Sequence, residues 1–443
     1  MEDFAPRLGD KPNMPYATGA RPRIKPGFKS IIVAIIFLLD EGIFSVLLGS
    51  KDFSQGRMLS SAAVLLAVPA FMISINRKPS ILKLEFWLPI ILFVWMIFSS
   101  AVSNVFIFDY PTRNWLLATY SVMPLLCVII WRALNLNFSD VVFGIILAAL
   151  AAGILVIIDK MFPIPQFITF RRMSAFGQFG NTARLTILKD ACVLGFLISF
   201  AKLSFGNLSP RKFMGWTLAL IVIGFPIAFS FESRIAFSTL ILSVVLFFVV
   251  SKVGATRRAL VGVLGAIVGT PIAIAVLGQY ISAIASASSL SDYFANNNVS
   301  IRFESNDYFV AQFMKTYGFG VGIMSSNPEQ YNILSSVVYK NYILDDLGLF
   351  AALYQFGIIG CAISCLMTVT VIIQFVRLGR LRLHPSSPEI TMAGCFVLAS
   401  VMQPIPANFF TLTHACLLGG TLWYAAFRAR WEVSLFSSKR SFA

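Results

Sequence analysis

The 443-residue chain is 57% hydrophobic and only 12% charged, carries 42 phenylalanines and has a mean hydropathy of +0.80, more apolar surface than a soluble core of this length can bury. Its formal charge of +15 is divided among short segments between apolar runs, which excludes a continuous basic surface for nucleic acid and leaves an integral membrane protein. In chain order about twelve apolar runs follow one another, roughly 30–49, 59–75, 86–104, 115–131, 140–158, 183–204, 213–231, 235–251, 259–278, 348–375, 390–405 and 409–427. Most are close to the ~20 residues an α-helix needs to cross hydrocarbon, and the alternating pattern of a barrel strand is missing. The polar, basic stretch "RPRIKPGFK" precedes the first run and no small-residue cleavage site follows it, so that run is expected to be a retained span.

The expected fold is therefore all-α, a polytopic membrane protein of about 12 transmembrane helices. The expected division is a basic cytoplasmic tail over 1–29, nine helices within 30–278, one long external loop over 279–347, three helices within 348–427 and a cytoplasmic tail over 428–443. With both termini inside, roughly 23 of the 35 Lys and Arg fall on the cytoplasmic side, among them Arg77, Lys78, Arg132, Lys202, Arg211, Lys212, Arg257, Arg258, Arg377 and Arg380. The basic excess is thus a topology signal, with a lipid bilayer and not nucleic acid as the partner. Cys127, Cys192, Cys361, Cys365, Cys395 and Cys416 all fall inside runs, where Cys packs as a small apolar residue. With His384 and His414 as the only histidines, neither a metal centre nor a histidine triad is expected, and no cofactor is implied.

The few external charges carry the chemistry. In "FPIAFSFESRIAFSTLIL" (Phe225 to Leu242) two apolar runs are separated only by Glu232, Ser233 and Arg234, which holds Arg234 at the membrane boundary, where a charge is costly without a partner or a task. Glu232 either orients Arg234 or is its salt-bridge neighbour. Within the long loop, 300–317 reads as an amphipathic helix lying on the membrane surface or on the bundle, with Phe303, Asn306, Phe309, Val310, Phe313, Met314 and Tyr317 on one face and Glu304, Ser305, Gln312 and Lys315 on the other. Arg302 is expected in its first turn, where free N–H groups and the helix dipole favour an anion. Two arginines at the outer headgroup level suit a lipid diphosphate, because guanidinium pairs bidentately with phosphate oxygens. A second cluster, "FRRMSAFGQFGNTARLTILKD" (Phe170 to Asp190), gathers Arg171, Arg172, Arg184 and Lys189 around a glycine-containing turn with Asn181, able to bind a sugar or phosphate. Lys189 with Asp190, and Asp40 with Glu41, are read as charges inside spans, functional or structurally paired.

Four stretches in order, "FGQFGNTARL", "SRIAFSTL", "RFESNDYFVAQFMKTYGFGVGIMS" and "LDDLGLFAALYQFGIIG", resemble the O-antigen ligase and polymerase superfamily of bacterial envelope enzymes, which includes exopolysaccharide polymerases. The resemblance covers roughly 170–360. It implies a multi-pass inner-membrane glycosyltransferase that works at the periplasmic face without metal on a polyprenyl-diphosphate-linked oligosaccharide, with Arg234 and Arg302 as diphosphate ligands. Flippase and chain-length regulator proteins are the partners implied with it. Where the ligases of that superfamily carry His-Asn, this chain has Asp346-Leu347 before "Gln-Phe-Gly" (Gln355 to Gly357), which turns the expectation towards a polymerase. A carboxylate would then take the acceptor hydroxyl's proton, Asp346 first and Asp345 second. The rival expectations are a ligase and a secondary transporter, the latter opposed by the position of the long loop and the lack of an internal repeat.

Overall fold

The computed structural model of the chain describes residues 27–48, 54–77, 84–109, 111–165, 171–172, 184–185, 187–205, 208–229, 234–251, 297–323, 347–381, 386–403, 407–411 and 415–441. Among them the regular structure is helical apart from a two-residue antiparallel ladder. The helices are α1 (Phe28–Asp40), α2 (Ile43–Leu47), α3 (Ser54–Arg77), α4 (Leu84–Ala101), α5 (Thr112–Thr119), α6 (Cys127–Ala133), α7 (Phe138–Met161), α8 (Lys189–Phe205), α9 (Pro210–Phe229) and α10 (Arg234–Val250). They continue with α11 (Asn297–Lys315), α12 (Leu349–Leu381), α13 (Ser387–Val401) and α14 (Cys416–Ser441). The ladder pairs β1 (Arg171–Arg172) with β2 (Arg184–Leu185).

Helix occupies most of every predicted run except 259–278, which lies outside the described residues. Among the described residues four stretches are long and apolar enough to cross a bilayer by themselves: Trp87–Ile107, Phe138–Met161, Pro210–Ala228 and Leu349–Gly379. Leu66 on α3, Leu218 on α9, Val249 on α10 and Ile373 on α12 all turn outward. That is how helices meet lipid, which, unlike water, does not penalise an apolar exterior.

At the centre, α7 packs against α1, α8 and α9, while α8 and α13 are buried along nearly their whole length. Asn137 and Asp140 start α7 with a capping box in which Asn137 N–H donates to Asp140 Oδ2 at 3.0 Å. Where α8 crosses α7, a methyl on Gly195 would come within 2.8 Å of Ala149 Cβ, so the small residue sets how closely the two helices approach.

Breaks fall within the first, fourth and tenth of the expected runs, the last of these at Gly357. The first ends at Asp40, turns through Glu41 and Gly42 (φ 79°), and resumes as α2, so Asp40 and Glu41 sit at a break and not within a continuous span. The fourth contains a 3₁₀ stretch, Tyr120–Leu126, around Pro124, which cannot supply an amide hydrogen. The last two runs were expected to be separated by only a few residues. Instead α13 stops at Val401, just before Pro404 and Pro406, and α14 starts at Cys416, and the described residues between them, 402–403, 407–411 and 415, are not helical.

At the end of the bundle where α1 begins, Arg428 of α14 is 9% exposed. It donates to Glu432 Oε1 (2.9 Å), Asn135 Oδ1 (3.2 Å) and Asn137 Oδ1 (2.5 Å), and Glu432 accepts the Phe138 N–H at 3.1 Å. The last helix is thereby tied to the α6–α7 turn.

Candidate functional site

Helix α11 docks on the N-terminal part of α12. The Tyr354 hydroxyl donates to Asn306 Oδ1 at 2.8 Å, and the Tyr354 ring lies 6.1 Å from that of Phe313 and 6.3 Å from that of Phe350. Just beyond α11, Ile358 N–H donates to Gly318 O at 3.3 Å. Two expectations are corrected here. The helix begins at Asn297, since asparagines favour helix starts, and this puts Arg302 in the second turn, beyond the four free N–H groups. The buried face is Ser305, Phe309 and Thr316, whereas Val310, Met314 and Tyr317 face outward. Docking against α12 and burial of Ser305 rotate the helix from the orientation its apolar residues alone would choose.

The chain after α11 threads into the bundle. Val321 N–H donates to Tyr354 O (2.7 Å) and Gly322 N–H to Gln355 O (2.8 Å), at the point where Gly357 (φ 73°) breaks α12. From the other side a π-helical turn that extends α4, Val102–Ile107, closes on the same segment. Ser103 donates to Gly320 O, Asn104 Nδ2 to Ile323 O (2.9 Å), and Ile323 N–H to Ser100 Oγ (2.8 Å). Trp95 Nε1 donates to Phe356 O (2.8 Å), while Trp115 Nε1 reaches Ser100 Oγ (3.1 Å). Gly320 (φ 87°) permits this approach: a methyl there would lie 2.5 Å from Gln355 O and 2.6 Å from Gly357 N. Irregular backbone is tolerated at membrane depth where protein satisfies it, and here Ser100, Ser103 and Asn104 do so. These residues are absent from the expected site. Their signal in the sequence is weak, a run of small polar residues, "SSAVSN", closing an apolar span.

Arg234 is the first residue of α10. One turn further in, Ser238 donates to Gln403 Oε1 at 2.7 Å, which ties α10 to the end of α13. Beyond it the Ser364 hydroxyl of α12 donates to Asn408 Oδ1 at 3.0 Å. Neutral polar groups thus bond α10 to the end of α13 and α12 to Asn408, where sequence reading expected apolar spans alone.

In the second cluster, the ladder sets Arg172 opposite Arg184 and Arg171 opposite Leu185. Lys189 and Asp190 open α8 and are half-buried; they are at a helix start and not inside the expected span. Asp190 there favours the positive end of the helix dipole. Immediately before it, Leu188 (φ 48°) donates its N–H to Glu41 Oε1 at 3.2 Å, and Asp40 Oδ1 accepts from Ser60 Oγ at 2.7 Å. Asn181, Glu232, Asp345, Asp346, His384 and His414 lie outside the described residues. Among the described residues no group of three His, Cys, Asp or Glu side chains gathers as a metal site.

Fold and composition define a helical protein with, among the described residues, four apolar helices of membrane-spanning length. Compared with models of known protein families and with curated protein sequences, the chain gives no match.

Proposed function

We propose that this chain is a bacterial polysaccharide polymerase of the inner membrane, transferring a polyprenyl-diphosphate-linked glycan onto the next lipid-linked repeat unit at the periplasmic face. The observation that carries the proposal is the backbone pairing of "YGFGVGI" with "YQFGI", since two of the stretches that resemble the O-antigen ligase and polymerase superfamily prove to be hydrogen-bonded partners. Two further features support an anionic ligand. A cation at the N-terminus of a helix, as at Arg234, is repelled by the helix dipole until an anion joins it. Like charges directly opposite in a ladder, as at Arg172 and Arg184, are likewise destabilising unless compensated.

In the proposed reaction the acceptor hydroxyl oxygen attacks the anomeric carbon of the donor glycan. The bond from that carbon to the diphosphate oxygen breaks, and polyprenyl diphosphate departs with the electron pair. Arg234 and Arg302 neutralise the charge that develops on the leaving group, while Asp346, or Asp345, accepts the hydroxyl proton. Full-length protein in proteoliposomes supplied with lipid-diphosphate oligosaccharide tests this. A ladder of products is expected from wild type, and Arg234→Lys is expected to restore little of what Arg234→Ala loses, because a point charge does not replace the bidentate fork.

A second reading has its own observation. The helix breaks at Asp40–Gly42, at Gly357 and between α13 and α14 are of the kind that build solute sites in secondary transporters. In the same proteoliposomes, solute flux without glycan product would establish a transporter. A single added chain would establish a ligase.

A further inference from the structure

Among the described residues four buried side-chain atoms have no hydrogen-bond partner: Ser30 Oγ, Gln355 Oε1, Asn408 Nδ2 and Thr411 Oγ1. Two of the four fall in one short turn, within the irregular chain between α13 and α14. That turn is as buried as any helix, with Asn408 1%, Phe409 3%, Phe410 1% and Thr411 0% exposed. Ser364, which donates to Asn408, stands near the middle of α12, within the stretch long and apolar enough to cross a bilayer. At that depth neither headgroups nor bulk water reach, and an unpartnered amide or hydroxyl is costly.

The chemistry of the missing partner follows from the groups that are satisfied. Asn408 Oδ1 accepts both the Ser364 hydroxyl and the Phe410 N–H, each at 3.0 Å. An N–H can be received only by oxygen, so the amide orientation is settled and the atom left over is the NH2, a donor. A cation is excluded as its partner. The side chains bonded at the turn itself, Ser364 and Asn408, are both neutral and supply no charge to offset the desolvation of an anion. What remains must accept from the amide, exchange hydrogen bonds with a hydroxyl, and fit a turn that itself carries Phe409 and Phe410.

We propose that Asn408 and Thr411 hold ordered water inside the bundle, one molecule shared between them or one at each. Buried water of this kind typically makes about three hydrogen bonds to groups the chain cannot otherwise satisfy. It lets the non-helical turn 407–411 sit buried inside the helical bundle. Ala407 N–H donates to Ser400 O at 3.0 Å, which ties the turn to the end of α13, and the site stands whether or not the chain is a polymerase.

Radiolytic labelling of the full-length protein in H2¹⁸O detects such water, because hydroxyl radicals formed at a bound molecule oxidise the rings beside it. Oxygen-18 is expected on Phe409 or Phe410 in spite of their burial. The sign of a stability change supplies a second, independent readout. Thr411→Val keeps the shape and removes the hydroxyl; if water is bonded there, Tm falls by about 2 °C. Absence of label on both rings, or a Tm that is unchanged or raised by Thr411→Val, overturns the proposal, since an apolar isostere relieves a hydroxyl that has no partner.

Discussion

Arg234 and Arg428 show two ways for a membrane protein to use an arginine. Arg428 is enclosed by partners, with Glu432, Asn135 and Asn137 taking its hydrogens and the Trp431 ring centroid 4.3 Å from its guanidinium carbon. Its role is to fasten α14 to the α6–α7 turn. Removing one side of such a buried pair strands the other, so Arg428→Ala is expected to lower stability by about 3 kcal/mol, visible as an earlier midpoint in a denaturing-detergent titration. Arg234 instead opens α10, and in the proposed reaction the anion it meets is the donor's diphosphate, which offsets the unfavourable placement of a cation at the positive end of the helix dipole. Asp346 belongs with it in the proposed chemistry. If it is the proton acceptor, Asp346→Asn lowers turnover in the proteoliposome assay by about 10²–10⁴-fold with donor binding retained. Full activity in that variant and in Asp345→Asn would sink the carboxylate-base mechanism.

Among the elements, the segment after α11 bears the strictest geometric demand. Gly318, Gly320 and Gly322 have φ values of 84°, 87° and 81°, a region costly for any residue with a Cβ, but only Gly320 is also pressed against the backbone of α12. A methyl on Gly318 would meet nothing closer than Ile358 Cδ1 at 3.7 Å. Gly318→Ala should therefore cost about 1 kcal/mol, and Gly320→Ala about 3 kcal/mol with loss of activity, because strain and overpacking add. Equal effects of the two substitutions, measured as Tm shifts of purified protein, would mean that the close approach to Gln355 and Gly357 does not limit the site. The helical part of this element could be read in sequence, from Phe309 and Phe313, but its orientation could not. Ser305 looks like a solvent residue and is buried, while Met314 and Tyr317 look like core residues and face out.

For the whole molecule, the proposed topology is set by where the positive charges lie between apolar runs. Reporter fusions after Arg211 and Arg380 are expected to read cytoplasmic and one near Asn297 periplasmic. A cytoplasmic reading at Asn297 would put α11 and its glycine segment on the side opposite the one on which the proposed reaction takes place. The positions of the helices were legible in the chain itself, since hydrocarbon admits only helices of about 20 apolar residues and that requirement is local and repeats along the sequence. The same holds for the ends of α9 and α10, which flank "FSFESR" as the residues predict. The interruptions were not legible. Irregular backbone survives inside an apolar bundle only if distant groups complete its hydrogen bonds, and Ser103 reaches Gly320 across 217 residues of sequence. Local periodicity therefore determined that this chain is a bundle of apolar helices, whereas only tertiary packing decided where those helices break, because a break is stable only when its partners are already folded beside it.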